Sequence, residues 1–138
     1  MATVTYGSGE KGDPWLVKTP SLSSEYQAWR DPAADPPRLV VQVGATQLAY
    51  QLRAVDDCLG MLRQRGDWVA LGNADEGKPV QEGSIEAWAR DPSNPVGGYY
   101  GLRKGYRGRF ANYVTPVMEL LGLVELQHGA RNNRARAI

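Results

Sequence analysis

Residues 39–52 read LVVQVGATQLAYQL, and this stretch decides the first half of the fold. Its opening five residues are mostly β-branched and apolar, and its last seven alternate between polar and apolar side chains. Gly44-Ala45 between them is a two-residue turn with glycine in first position. Leu48 and Tyr50 lie two apart and therefore share one face of a strand. The stretch predicts a β-hairpin over residues 39–52.

A helix is predicted directly after the hairpin, over residues 54–65. Apolar side chains recur there at the spacing of a buried helical stripe, at Val55, Cys58, Leu59 and Leu62. Two aspartates stand in the first turn and two arginines in the last, which suits the helix dipole. Gly66 occupies the position where a glycine commonly ends a helix. Because Cys58 belongs to the apolar stripe, we interpret it as a core residue and not as a nucleophile.

Upstream of the hairpin the pattern is weaker. Residues 1–12 are polar, contain glycine and show no periodicity, which predicts a mobile tail. Residues 15–18 predict a short edge strand. Ser23 or Ser24 is a suitable N-cap for a short helical turn that runs to Trp29.

Downstream of the first helix the chain alternates short strands and helices. Residues 67–71 predict a strand, and residues 85–90 and 109–121 predict two helices. The last of these helices contains an internal proline and ends at a glycine. LVEL at 123–126 and the alternating residues 134–138 then predict two strands joined by a polar turn.

The order helix, strand, helix, helix and strand–turn–strand over residues 54–138 resembles the winged-helix domain. The resemblance implies that residues 109–121 are the recognition helix and that the turn at 128–133 is the wing. Many proteins with this fold do not bind DNA. The sequence predicts one α+β domain over residues 13–138, in which an N-terminal β-hairpin packs on a winged-helix-like C-terminal unit.

The chain also resembles a group of short, uncharacterised bacterial proteins. The matching stretches are DPWLVKTP, GDWVALGNADE, NPVGGYYGLRKGYRGRF and RNNRARA, which lie across residues 13–137. The resemblance implies no catalytic residue and no substrate.

Residues 94–110, NPVGGYYGLRKGYRGRF, form a segment rich in glycine, tyrosine and arginine that contains no acidic residue. We call it the basic segment. Glycine permits close backbone approach, guanidinium groups supply charge and planar donors, and tyrosines supply aromatic faces. The combination suits a partner that carries phosphates and bases.

Charge is distributed unevenly along the chain. The net charge is +1, but residues 1–100 carry −4 and residues 101–138 carry +5. The basic C-terminal part indicates either an anionic partner or attraction between the two parts within a fold or a dimer.

These observations favour a nucleic-acid-binding protein, with DNA or RNA as partner. The predicted contact residues are Arg103, Lys104, Arg107, Arg109, Arg131, Asn132, Arg134 and Arg136. One alternative is a protein-interaction or homodimerisation module. Another is a small-ligand binder with Tyr99 and Tyr100 at its pocket.

Catalytic and metal chemistry find little support. One cysteine and one histidine cannot supply a zinc site, and no phosphate-binding P-loop motif is present. A triad built on His128 would place its base on the predicted wing turn, where water competes. We interpret Asp75, Glu76 and Glu82 as solvated loop charges and not as ligands of a divalent ion. No catalytic residue, metal or cofactor is predicted, and we expect no enzyme.

Localisation is predicted from what the sequence lacks. No apolar run is long enough to span a membrane, and the N-terminal residues do not resemble a secretory signal. A single cysteine cannot form an internal disulfide, which favours the reducing cytoplasm.

Four tryptophans are predicted to be core or interface residues, at positions 15, 29, 68 and 88.

Overall fold

Four antiparallel strands form the first sheet in the computed structural model of the protein, which describes residues 6–138. They follow one another across the sheet in chain order: β1 (Trp15–Lys18), β2 (Glu25–Asp31), β3 (Arg38–Val43) and β4 (Thr46–Gln51). The register pairs Leu39 with Tyr50 and Val41 with Leu48, so the apolar side chains of β3 and β4 share one buried face. The predicted hairpin and the predicted edge strand β1 are confirmed.

Strand β2 corrects the helical turn predicted from Ser23 or Ser24 to Trp29. Tyr26 and Ala28 are buried while Gln27 between them is exposed, which is the period of a strand. This strand pairs with β1 on one side and with β3 on the other. Two rows of backbone hydrogen bonds and a buried face outweigh the single bond that a serine cap offers.

Residues 6–12, part of the segment predicted as a mobile tail, form hydrogen bonds with the first sheet. The N–H of Leu16 donates to the Tyr6 carbonyl at 3.0 Å, and the N–H of Arg30 donates to the Gly9 carbonyl at 2.9 Å. A Cβ on Gly9 would lie 2.2 Å from the Trp15 ring, so glycine allows this close approach. Residues 6–12 are thus bonded to the sheet, and residues 1–5 lie outside the described residues.

Helix α1 (Ala54–Arg65) has the predicted bounds. Gly66 ends it in the left-handed conformation, with φ +70°, and its N–H donates to the Leu62 carbonyl. Cys58 is fully buried on the face that packs into the core, and burial raises the pKa of its thiol to about 12. The interpretation of Cys58 as a core residue is confirmed.

The C-terminal half contains two further helices and a second sheet. The elements are β5 (Val69–Ala70), α2 (Ile85–Trp88), α3 (Phe110–Leu120), β6 (Val124–Leu126) and β7 (Arg134–Ala137). Strand β7 lies between β5 and β6 and pairs antiparallel with both. The predicted element order, the pairing of the last two strands and the α+β class are confirmed, although α2 ends two residues earlier than predicted.

Helix α3 lies in the interior, where it contacts the first sheet. Eight of its 11 residues are buried. The Tyr26 hydroxyl donates to the Tyr113 carbonyl at 2.8 Å, and the two rings meet edge to face.

Among residues 6–138, no helix has the length and apolar character required to cross a membrane.

Candidate ligand cleft

The basic segment, residues 94–110, is built into the fold as a cover for the free edge of β4. The N–H of Gln51 donates to the Tyr100 carbonyl, and the N–H of Leu102 donates to the Ala49 carbonyl. Tyr100 is fully buried, stacks on Trp88 and donates its hydroxyl to Asp57 at 2.9 Å. Burial, followed by the bond to Asp57, raises the pKa of this hydroxyl. Tyr100 is therefore a core residue, unlike the pocket residue that the small-ligand alternative requires.

Two glycines of the basic segment allow close contact with the protein's own backbone. A Cβ on Gly101 would lie 2.5 Å from the Cα of Arg107, and a Cβ on Gly108 would lie 2.2 Å from the backbone nitrogen of Glu76. Contacts under about 3 Å require the backbone to shift. These two glycines serve internal packing.

Arg107 is engaged by an acidic partner within the chain. Its guanidinium donates to both carboxylate oxygens of Glu76, at 2.8 and 3.2 Å, and the N–H groups of Gly105 and Arg107 donate to the same carboxylate. The Arg107 guanidinium lowers the pKa of Glu76 to about 2, and the backbone donors act in the same direction. The guanidinium also lies 4.4 Å from the ring centre of Tyr99.

The other cations of the basic segment differ in how far they are engaged. Arg109 forms an ion pair with Asp75, and its bond to that carboxylate lowers the pKa of Asp75. Arg103 lies over the ring of Tyr106 at 4.1 Å and donates to the Gln47 carbonyl. Lys104 is exposed. Asp75 and Glu76 are thus held by arginines, in contrast to the solvated charges expected from the sequence.

A buried carboxylate fixes the start of α3 next to this segment. Glu86 accepts hydrogen bonds from the N–H groups of Phe110 and Ala111, at 3.1 and 2.9 Å. Arg90 lies 3.4 Å from the same carboxylate. Burial raises the pKa of Glu86 to about 6, although these donors favour its ionised form. Because both N–H groups belong to the first turn of α3, Glu86 caps that helix from a distant position.

A cavity with a volume of about 690 Å³ lies beside the second sheet. This is within the range of ligand pockets. We call it the wing cleft. Its walls are the end of β5 with the loop that follows, the turn between β6 and β7, the first turn of α3 and residues 20–21. The lining residues are Pro20, Ser21, Ala70, Leu71, Gly72, Asn73, Pro79, Gln81, Asn112, Ala130, Arg131, Asn132, Asn133 and Arg134.

The side chains of the wing cleft are mainly carboxamides and guanidinium groups. Arg131 and Arg134 contribute positive charge, and none of the described lining residues is acidic. Asn73, Asn112 and Asn132 each offer both a donor and an acceptor. Because Pro116 has no N–H, it cannot donate the helical hydrogen bond to the Asn112 carbonyl. The cleft can therefore bind a polar, anionic ligand that both donates and accepts hydrogen bonds.

The side chain of Asn133 links the two ends of the turn between β6 and β7. The Asn133 amide accepts from the N–H of Gly129 at 2.7 Å and donates to the carbonyl of the same residue at 3.0 Å. Asn132 has φ +58°, a left-handed conformation that asparagine tolerates. These contacts determine where Arg131 and Asn132 stand at the cleft.

Beside the cleft, the exposed face of the second sheet carries an aromatic and two arginines. The guanidinium of Arg134 lies 5.6 Å from the ring centre of Trp68, and that of Arg136 lies 4.5 Å from it. Arg136 also contacts Glu125 through both carboxylate oxygens at 3.2 Å. Arg134 donates instead to the neutral side chain of Gln127. Arg134 thus belongs both to the wing cleft and to this face.

The structure divides the eight predicted contact residues between two places. Arg131, Asn132 and Arg134 line the wing cleft, and Arg136 lies on the adjoining sheet face. The remaining four belong to the basic segment, where Arg103, Arg107 and Arg109 contact other parts of the chain. The sequence analysis did not single out Asn73, Gln81 and Asn112, and it placed Trp68 among the core or interface residues. The only sequence signal for Asn112 was its place off the apolar stripe of its helix.

His128 joins the wing turn to other elements. Its ring nitrogens contact the Pro20 carbonyl at 2.9 Å and the Glu119 carboxylate at 2.6 Å. Partial burial lowers the pKa of His128, but the bonds to Glu119 and Pro20 outweigh it, so that the pKa is raised overall.

Among residues 6–138 no group of three or more histidine, cysteine or acidic side chains is placed to hold a metal ion.

The chain belongs to a family of unknown function, DUF6855, whose pattern matches residues 7–138. No curated protein and no solved structure matches the chain.

Proposed function

We propose that the protein binds nucleic acid through the wing cleft, on a winged-helix-like unit formed by α1 to β7. The observation that carries this proposal is the composition of the cleft: two arginines and several carboxamides, with no acidic side chain among the described lining residues. Arginines bind phosphates, and asparagine and glutamine pair with the donors and acceptors of base edges.

The order of strands in the second sheet supports the winged-helix-like assignment. The antiparallel pairing of the last two strands, on which the resemblance rests, is present, and β5 pairs with β7 in the same sheet. The burial of α3 changes how the unit is used. A recognition helix must offer free side chains to the major groove, whereas eight of the 11 residues of α3 are buried. The proposed contacts come from the wing turn, the β5–α2 loop and Asn112.

Electrostatics favour the wing cleft over the basic segment as the phosphate-binding surface. A guanidinium that already contacts a carboxylate has its charge largely balanced, which weakens its attraction for a phosphate. Arg107 and Arg109 have such partners in Glu76 and Asp75. Arg131 is exposed, and the bond of Arg134 to Gln127 is to a neutral group.

The test is a binding titration with a fluorescent oligonucleotide that has a duplex stem and a single-stranded tail. Affinity should fall between about 50 and 200 mM salt, with a log–log slope of about −0.7 to −0.9 per phosphate contacted. The double variant Arg131→Ala/Arg134→Ala should bind more weakly, and its slope should be shallower by up to about two contacts.

A matched control removes the same amount of charge elsewhere. Lys11→Ala/Lys104→Ala also lowers the net charge by two, but neither lysine lines the wing cleft. Binding by this control should equal that of the parent. Absence of binding at low salt, or equal losses in both double variants, would overturn the proposal. Thermal stabilisation by a mononucleotide without oligonucleotide binding would instead favour the small-ligand alternative.

A further inference from the structure

We infer that the nucleic acid is a single strand, and that it leaves the wing cleft across the exposed face of the second sheet, where a base stacks on Trp68 and Arg136. The inference rests on the proposed function and adds the class of polynucleotide and its path. The strand is RNA or DNA, and the experiment below distinguishes the two.

The shape of the site favours a single strand. Reading a duplex requires an element that enters a groove, and the buried α3 cannot do this without leaving the core. The wing cleft is concave, and its carboxamides come from three separate segments, at Asn73, Asn112 and Asn132. Such walls can surround a base that is free of a pairing partner. In a duplex, the Watson–Crick edges are occupied.

The sheet face next to the cleft supplies a stacking surface. Val69 pairs with Ala135 and Ala70 with Arg134, so Trp68 comes opposite Arg136 when the register is extended by one residue. Trp68 is only partly buried, and both guanidinium groups lie within 6 Å of its ring centre. Bases stack both on aromatic rings and on guanidinium planes.

Charge along the proposed path changes in a way that suits a polynucleotide. At the cleft, Arg131 and Arg134 have no acidic residue beside them among the described lining residues. Arg136, in contrast, is neutralised by Glu125. Phosphates are therefore expected at the cleft end, around Arg131 and Arg134. At Arg136 the planar guanidinium matters more than its charge, because the carboxylate already balances it.

The experiment compares three fluorescent probes of one sequence: single-stranded RNA, single-stranded DNA and duplex DNA. At one moderate salt concentration, at least one single strand should bind tenfold or more tightly than the duplex. The tighter of the two single strands identifies the sugar that the site prefers. A preference for RNA and a preference for DNA both support the inference, provided that the preferred single strand binds more tightly than the duplex by that margin.

Variants of Trp68 test the path across the sheet face. Trp68→Leu keeps an apolar side chain but removes the aromatic face, and it should weaken single-strand binding by about 5- to 100-fold. Trp68→Phe is the matched control and should retain most of the affinity. Should Trp68→Leu fail to fold, Arg136→Leu with Arg136→Lys provides a second test. Lys keeps the charge but not the plane, so both variants should weaken binding.

The outcomes separate this inference from the proposed function. Duplex binding as tight as single-strand binding would overturn the inference while leaving the proposed function in place. Unchanged single-strand binding by Trp68→Leu or by both Arg136 variants would overturn the path. Failure of all three probes to bind at low salt would overturn the proposed function itself.

Discussion

The basic segment and the wing cleft both contain arginines beside residues that favour irregular backbone. They differ in whether those arginines are paired with carboxylates of the same chain. In the basic segment, Arg107 and Arg109 contact Glu76 and Asp75. In the wing cleft, Arg131 and Arg134 have no acidic neighbour among the described lining residues. A basic stretch of sequence therefore does not by itself identify a binding surface, because the fold can balance its cations with carboxylates of the same chain.

The glycines of the two regions also differ in the contacts that they make. Gly101 and Gly108 allow the basic segment to lie against its own chain. In the wing turn, Gly129 is bonded to Asn133 and helps to present Arg131 and Asn132 to the cleft. The glycines of the basic segment serve internal packing, whereas Gly129 belongs to the turn beside the wing cleft.

The largest expected effect comes from Glu86, which joins the basic segment to the start of α3. Glu86→Ala would leave two buried N–H groups and the Arg90 guanidinium without their carboxylate. We expect a loss of about 3–5 kcal/mol in the free energy of unfolding, measured by urea denaturation. The control Glu82→Ala changes an exposed carboxylate and should stay within about 0.5 kcal/mol of the parent. Equal stability of the two variants would contradict the role of Glu86.

Gly108→Ala tests whether the basic segment needs its glycine for internal packing. The added Cβ would overlap the backbone of Asp75 and Glu76, and we expect a loss of about 1–3 kcal/mol in unfolding free energy. Gly60→Ala is the matched control, because Gly60 lies in α1 and a Cβ added there would have no neighbouring atom within 4 Å. This control should be stabilised by about 0.5–1 kcal/mol. A parent-like Gly108→Ala protein would mean that the glycine is available for a ligand.

The smallest expected effect concerns the pair of Arg107 and Glu76. Arg107→Ala should lower the unfolding free energy at pH 6 by less than either variant above, because the pair is partly exposed and solvent screens the attraction between its charges. The pKa of Glu76 is lowered to about 2 in the folded protein, so the contribution of the pair is fully present above its unfolded value of 4.5. It is lost progressively as the pH falls toward 2.

Urea denaturation at pH 6 and pH 3 measures this change. The difference between Arg107→Ala and the parent should be smaller at pH 3, and nucleic-acid binding at pH 6 should be unchanged. A large loss of binding by Arg107→Ala, with stability unaffected, would reverse the comparison between the basic segment and the wing cleft.

Local pattern was sufficient to predict β3, β4 and α1. Strand β4 and helix α1 have a clear apolar period, and β3 is a run of mainly β-branched residues. Gly44 follows the end of β3 and Gly66 follows the end of α1, so the information lies within about a dozen neighbouring residues. Local pattern failed at β2. The serines before it suit a helix cap, whereas pairing with β1 and β3 depends on residues outside the local window.

The α+β class, the order of elements after residue 54 and the concentration of positive charge in the C-terminal part follow from local sequence pattern and composition. Which cations are engaged depends on how the elements pack. Arg107 and Arg109 find their carboxylates 31 and 34 positions earlier in the chain. Likewise, Asn73, Asn112 and Asn132 meet at one cleft only because the second sheet and α3 bring distant segments together. Side-chain partnership over such separations depends on the packing of whole elements, and no short stretch of sequence contains it.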